Sequence, residues 1–113
     1  MVDIVPLQGD IIKINLDPKM GHEQAGYRPY VCLSNKIVSD YANIAVFAPI
    51  SNTTRKYPLY IPLLETITTG NVLLDQLVTI DYKAREFKYI ETIPSALLIH
   101  ILSVTALIFQ LNN

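Results

Sequence analysis

Gly9-Asp10-Ile11-Ile12-Lys13-Ile14-Asn15-Leu16 decides how this chain folds. Ile12, Ile14 and Leu16 alternate with Lys13 and Asn15 directly after a Gly-Asp turn signal, the period-two pattern of a half-buried strand. Residues 11–16 are therefore the first strand. Downstream, residues 17–29 are polar and carry two glycines and two prolines, which predicts a long exposed connection. Residues 30–34 read as a second strand, 35–41 as a turn or one short helix, and 44–50 as a third, largely buried strand. Residues 51–58 form a second polar loop. Pro58 and Pro62 cannot donate to a sheet ladder, so residues 59–63 belong at an edge. The leucine and β-branched content of residues 71–80 predicts a long central strand, interrupted by the polar pair Asp75-Gln76. Such a pair is costly to bury without hydrogen bonds, so it pins a bulge or faces a groove. Residues 87–91 form a short last strand, and residues 94–111 a helix with Pro94 in its first turn. Five or six strands and one terminal helix make a small, mainly β barrel.

A chain of 113 residues has room for one core, so residues 1–113 are read as a single domain. Half the residues are hydrophobic and only 17% charged, which argues against disorder and leaves more apolar surface than a monomer normally hides. A homodimer is the expectation. The uncharged stretch 93–109 is shorter than the roughly 20 residues of a membrane span and contains Ser95, His100, Ser103 and Thr105. It reads as a buried helix covered by the sheet and by a second subunit, with no membrane partner. The lone Cys32 excludes an intramolecular disulfide and sits in an apolar run, as a core residue in a reducing compartment would. The N-terminus has no secretion-signal pattern, and a cytoplasmic location follows as the expectation.

The two histidines are far apart in sequence and lack metal-ligand spacing, so neither a metal nor a cofactor is expected. His100, inside the apolar helix, reads as a core or interface residue. His22, in the first polar loop, touches substrate or simply faces water. The formal charge of −1, from nine basic and ten acidic residues, gives no global positive field. A nucleic-acid partner then requires a local patch, for which Arg55, Lys56, Lys83 and Arg85 are the candidates.

The first loop is the most specific signal. Gly9-Asp10-Ile11, Asp17-Pro18, then Gly21-His22-Glu23-Gln24-Ala25-Gly26-Tyr27-Arg28-Pro29 and an apolar strand resemble the opening of the MazF/PemK toxin family. Ala48-Pro49-Ile50-Ser51 is similar to that family's strand ending in Pro-x-Thr, and Val72 to Gln76 with Thr79-Ile80-Asp81 to its later segment. The resemblance covers almost the whole chain. It implies an SH3-like barrel of the CcdB/MazF type with a C-terminal helix, and the toxin of a type II toxin–antitoxin system. The implied activity is metal-independent, sequence-specific cleavage of single-stranded mRNA, leaving a 2′,3′-cyclic phosphate or 3′-phosphate and a 5′-hydroxyl. The implied partners are an acidic MazE/PemI-like antitoxin, a second copy of the chain and, for the toxin–antitoxin complex, its own promoter DNA.

Carried over by motif, Arg28 matches the family's catalytic arginine and Glu23 its site glutamate. Ser51 stands where the family usually has threonine; the hydroxyl is kept, without the methyl that stiffens χ1. Thr53 or Thr54 supplies the hydroxyl if the loop shifts register. His22, Gln24, Tyr27, Thr53, Arg55, Lys56 and Gln76 are the candidate substrate-binding residues, with Tyr27 and Tyr57 as stacking faces. In chemical terms RNA brings its own nucleophile, and a guanidinium answers the charge that gathers on the phosphorane oxygens. Arginine holds its proton too tightly to be an ordinary general base, so Arg28 stabilises charge while Glu23 orients it or assists deprotonation. Two rival readings share the fold: a CcdB-like toxin that binds DNA gyrase, and an inactive SH3-like interaction module. The family of gyrase binders uses a tryptophan at the end of its helix, which this chain lacks.

Overall fold

The computed structural model describes residues 5–16 and 26–112, so the expected site residues His22, Glu23 and Gln24 lie outside the described residues. The fold starts at the Gly-Asp signal. β1 (Asp10–Asn15) opens with Asp10, whose buried carboxylate accepts the Leu7 amide (2.9 Å) and the Thr92 hydroxyl (2.8 Å). Thr92 spends its proton on Asp10, so the Tyr89 hydroxyl 2.8 Å away donates to Thr92. One acidic residue thereby closes the entry turn and ties β1 to the last strand. Ile11 and Ile12 are both fully buried because strand alternation sends them to opposite faces of β1, each covered by its own core; the register with the last strand shifts between them.

β2 (Tyr27–Cys32) begins three residues earlier than the pattern predicts, since Tyr27 and Arg28 pair with Asn15 and Ile14 of β1. Pro29, with no N–H to give, falls where β3 (Ile44–Ser51) has not yet joined; that pairing starts at Tyr30↔Pro49. Between β2 and β3 lies the short helix α1 (Lys36–Ser39), capped by Asn35 on the Ile37 amide (2.9 Å). β4 (Tyr60–Pro62) is the edge strand that its prolines demand, and it pairs with β5 (Asn71–Leu73).

The long strand expected over residues 71–80 is two short strands, β5 and β6 (Val78–Asp81), separated by a 3-10 turn at Leu74–Gln76. Both halves pair with β3, at Ile50↔Val72 and Phe47↔Val78. Ala48 and Pro49 lie between those pairs on β3, whereas residues 73–77 lie between them on the β5–β6 segment. The surplus is extruded as the turn, opposite a proline that offers no amide. β7 (Phe87–Thr92) pairs with β1 on its far side, making seven strands in all.

β6, β3, β2, β1 and β7 form a curled antiparallel layer whose outer strands are not paired to each other, so the barrel is curled rather than closed. The Tyr82 ring meets Phe87 edge-on at 6.2 Å where these two edges approach. Inside the curl lie Ile12, Ile14, Tyr30, Cys32, Phe47, Ile80 and Tyr82. Cys32 is buried and desolvation pushes its thiol up to about 11, which leaves it an inert core residue.

A second core, with Ile11, Val31, Ala48, Ile50, Val72 and Leu74, is covered by α2 (Ser95–Ile108) through Ile101 and by Ile93 just before it. α2 starts after Pro94, which is its cap rather than part of its first turn, and ends three residues sooner than expected. Ile101 alone is fully buried; Ile99 (65% exposed) and Leu107 (58%) look outward. His100, expected in a core or an interface, is exposed beside Ile99: one helical step of about 100° from Ile101 takes it off the sheet-facing side. No helix among the described residues is long and apolar enough to cross a membrane.

Candidate active site

Register fixes the relation between the two key side chains. The pairing of β2 with β3 ends at Tyr30↔Pro49, and Arg28 and Ser51 each lie two residues beyond it on their own strands, Ser51 being paired with Asn71 of β5. Side chains two apart share a face, so Arg28, Tyr30, Pro49 and Ser51 all look the same way. There they line one cleft of about 510 Å³, together with Gln76 from the 3-10 turn and a floor that includes Leu73 and Val78. The extruded residues 74–76 are what carry Gln76 into this cleft. Of the two roles its sequence allows, the polar pair takes the second, since it forms a 3-10 turn rather than a bulge and Gln76 faces the cleft.

Ser51 is the exposed last residue of β3, and its main chain is fixed by pairing with Asn71. Gly70 presses against it from below. Gly70 holds φ +122°, and a Cβ there would stand 2.8 Å from the Ser51 carbonyl oxygen. The hydroxyl donor therefore rests on backbone that only glycine admits. Thr53 is engaged elsewhere: its hydroxyl accepts the Arg55 amide (3.1 Å) and its carbonyl accepts the Asn71 side-chain amide (3.1 Å). Thr53 and Thr54 are not among the described residues lining the cleft.

Among the described residues the Arg28 guanidinium has no hydrogen-bond or ion-pair partner, and it is exposed at the cleft. Its charge is felt by the Tyr30 phenol, which burial pushes upward and Arg28 partly pulls back. At pH 7 the cleft accordingly offers a fixed cation, a neutral phenol, an amide and an aliphatic hydroxyl. Donors dominate, as an anionic group would require.

The other expected residues fall around this cleft rather than in it. Arg55 stacks over Tyr57 (4.8 Å to the ring centre) and Tyr60 (5.8 Å), whose rings meet edge to face at 4.9 Å. Tyr60 is opposite Leu73, a residue of the cleft floor, so this stack stands at the cleft's border. Lys56 is exposed beside it. Arg85 donates to the Asn15 carbonyl (3.1 Å) at the end of β1, and Lys83 lies in the turn that Asp81 caps. The four basic candidates therefore distribute over two connections, one on each side of Arg28. Tyr27 points to the opposite face of β2 from Arg28 and lines a different pocket. Sequence reading missed Tyr30 and Tyr60. Tyr30 was within reach, since it stands two residues after Arg28 on one strand.

Among the described residues no group of three or more His, Cys, Asp or Glu side chains is gathered as a metal site. The architecture is thus a small curled β sheet covered by one helix, with an arginine and a hydroxyl lining one shallow cleft. The sequence model of the PemK-like, MazF-like toxins of type II toxin–antitoxin systems matches residues 7–109, and the chain belongs to that family. It is 35% identical over 81 residues to the endoribonuclease toxin MazF of Escherichia coli K12, covering 72% of this chain and 73% of that one. With the Escherichia coli endoribonuclease PemK it shares 31% identity over 100 residues, 84% of this chain and 75% of the relative. The crystal structure of MazF (Form-I) from Deinococcus radiodurans superposes with a TM-score of 0.78 at 25% identity, covering 94% of this chain and 97% of that one. A MazE–MazF complex (Form-II) from the same organism gives 0.80 at 20% identity, covering 97% and 100%.

Proposed function

We propose that this chain, as one domain over residues 1–113, is the toxin of a type II toxin–antitoxin system and cuts single-stranded RNA without a metal. The observation that carries the reading is that Arg28, Ser51 and Gln76 line one cleft. Support comes also from relatives named as endoribonucleases that match 72% and 84% of the chain.

In the proposed reaction the ribose 2′-oxygen attacks the adjacent phosphorus in line while the bond to the 5′-oxygen breaks. The 2′-proton passes to Glu23 or water, and the departing 5′-oxygen takes up a proton, giving a 2′,3′-cyclic phosphate and a 5′-hydroxyl. Charge builds on the non-bridging oxygens, where the Arg28 guanidinium offers bidentate, permanently charged donors. The Ser51 hydroxyl orients the same phosphate. DNA lacks the nucleophile and is not cut. Gln76 reads a base edge, and the Arg55–Tyr57–Tyr60 stack at the border takes a flanking base.

The protein acts in the cytoplasm as a homodimer, the apolar outer face of α2 meeting a second copy. An acidic antitoxin neutralises it by covering the cleft and competing with RNA. The test is incubation of purified protein with a long RNA and a matching DNA in excess EDTA, alongside Arg28→Ala, with sequencing of the ends. Cuts at a short recurring motif with 5′-hydroxyl ends, lost in Arg28→Ala and absent from DNA, are expected. Intact RNA from a folded protein free of antitoxin overturns the reading and directs attention to gyrase binding.

A further inference from the structure

On the face of the sheet opposite Arg28, β1 and β7 set Lys13 directly across from Lys88. Like charges so placed repel, and sheets normally avoid the arrangement. Among the described residues neither ammonium has a hydrogen-bond or ion-pair partner. Pro29 flanks Lys13 on its other side, and Tyr27, two residues before Pro29, shares that face. Lys13, Lys88, Tyr27, Phe87 and Glu86 enclose a pocket of about 460 Å³. Arg85 borders it by holding the Asn15 carbonyl, Asn15 being opposite Tyr27. The pocket thus combines two uncompensated cations with the flat face of a 37% exposed tyrosine.

We propose that this pocket is a second nucleotide subsite, in which Lys13 and Lys88 straddle one or two backbone phosphates of the RNA and Tyr27 stacks on a base beside them. The proposal rests on the RNA-cutting reading and extends it to residues outside the cleft. Two arguments favour RNA over an acidic peptide. Tyr27 and Arg28 are consecutive residues at the start of β2, so a strand held at Arg28 need only pass over the strand end to reach Tyr27. The exposed Tyr27 ring beside the two lysines offers a stacking face that a nucleotide base uses and a run of carboxylates does not.

The test uses full-length protein carrying Arg28→Ala, so that bound RNA stays whole, with and without Lys13→Gln/Lys88→Gln. Affinity for a single-stranded RNA containing the cleavage motif is measured by fluorescence anisotropy from low to moderate salt. Loss of both lysines should weaken binding about ten-fold at low salt and make the log–log salt dependence shallower by about 1.4, at roughly 0.7 per phosphate contact on a single strand. Tyr27→Ala should weaken binding with the salt slope unchanged, and Tyr27→Phe should restore it. Thermal unfolding of the double glutamine variant should match or exceed that of the parent, because a repulsion is removed. An unchanged slope in a protein whose Arg28-containing form cuts RNA overturns this inference alone; a protein that cuts no RNA overturns both. An unchanged RNA slope with weakened binding of an oligoglutamate peptide would assign the pocket to an acidic protein segment instead.

Discussion

Replacing Gly70 by alanine separates a positional demand of the backbone from a preference for a small side chain. Gly70 has φ +122°, a conformation that costs an L-residue about 1–3 kcal/mol. An added Cβ also meets three atoms at 2.8–3.1 Å, and two of these belong to the Ser51 main chain, which cannot swing aside as a side-chain tip would. Strain and contact together place the loss of stability at roughly 2–4 kcal/mol. With a urea m value of about 1.5 kcal/mol/M, the unfolding midpoint falls by roughly 1.5–2.5 M at fixed protein concentration. The same displacement tilts Ser51, so cleavage of a short RNA should fall even in the fraction that remains folded. Gly26→Ala is the matched control. Its Cβ meets the far end of the Asn15 side chain rather than main chain, so it should cost less than Gly70→Ala. Equal and small losses in the two variants, under about 0.5 kcal/mol, would refute the argument that backbone beneath Ser51 is what glycine protects.

Two further outcomes follow from the same geometry. Ser51→Ala should lower single-turnover RNA cleavage about ten- to a hundred-fold with stability unchanged, since an exposed hydroxyl is lost, while Ser51→Thr keeps the donor and should hold or raise the rate; equal rates for all three would remove Ser51 from the chemistry. Glu91 accepts the Ile67 amide (3.0 Å), the Thr68 amide (2.6 Å) and the Thr68 hydroxyl (2.7 Å), which fastens the loop before Gly70 to β7. Burial alone would raise its carboxyl, but these three donors outweigh it and hold the group below its ordinary 4.5. Its contribution is therefore present above about pH 4.5 and fades as pH falls through the lowered folded value. Glu91→Gln should flatten that acid limb of stability and cost about 1 kcal/mol or less at pH 7, as measured by urea unfolding across pH 3–7.

What the sequence discloses of this protein depends on whether a residue's role is local or is created by register. Ile12, Ile14 and Leu16 announce β1 by alternation, and Pro58 and Pro62 announce an edge, because strand faces and missing amides are properties of a few consecutive residues. The break of residues 71–80 into two strands is different. It arises because β3 has two residues where its partner has five, a mismatch visible only once Ile50↔Val72 and Phe47↔Val78 are both known. Gln76 enters the cleft through that mismatch, and propensity alone makes it one more strand residue. The same distinction divides the site. Arg28 stands out through its motif, whereas strand alternation places Tyr27, a candidate from the same motif, on the other face. Tyr30, two residues away, was passed over although that alternation puts it beside Arg28. The fold then makes neighbours of residues far apart in sequence: Arg28 and Ser51 line one cleft, and Lys13 pairs with Lys88 on the other face. A donor-rich cleft and a repelling pair of lysines back to back on one thin sheet are the outcome of register acting on charges that nearly cancel in the composition. A chain of net charge −1 can in this way gather its cations at two pockets and leave acidic residues to close turns, as Asp10, Asp81 and Glu91 do.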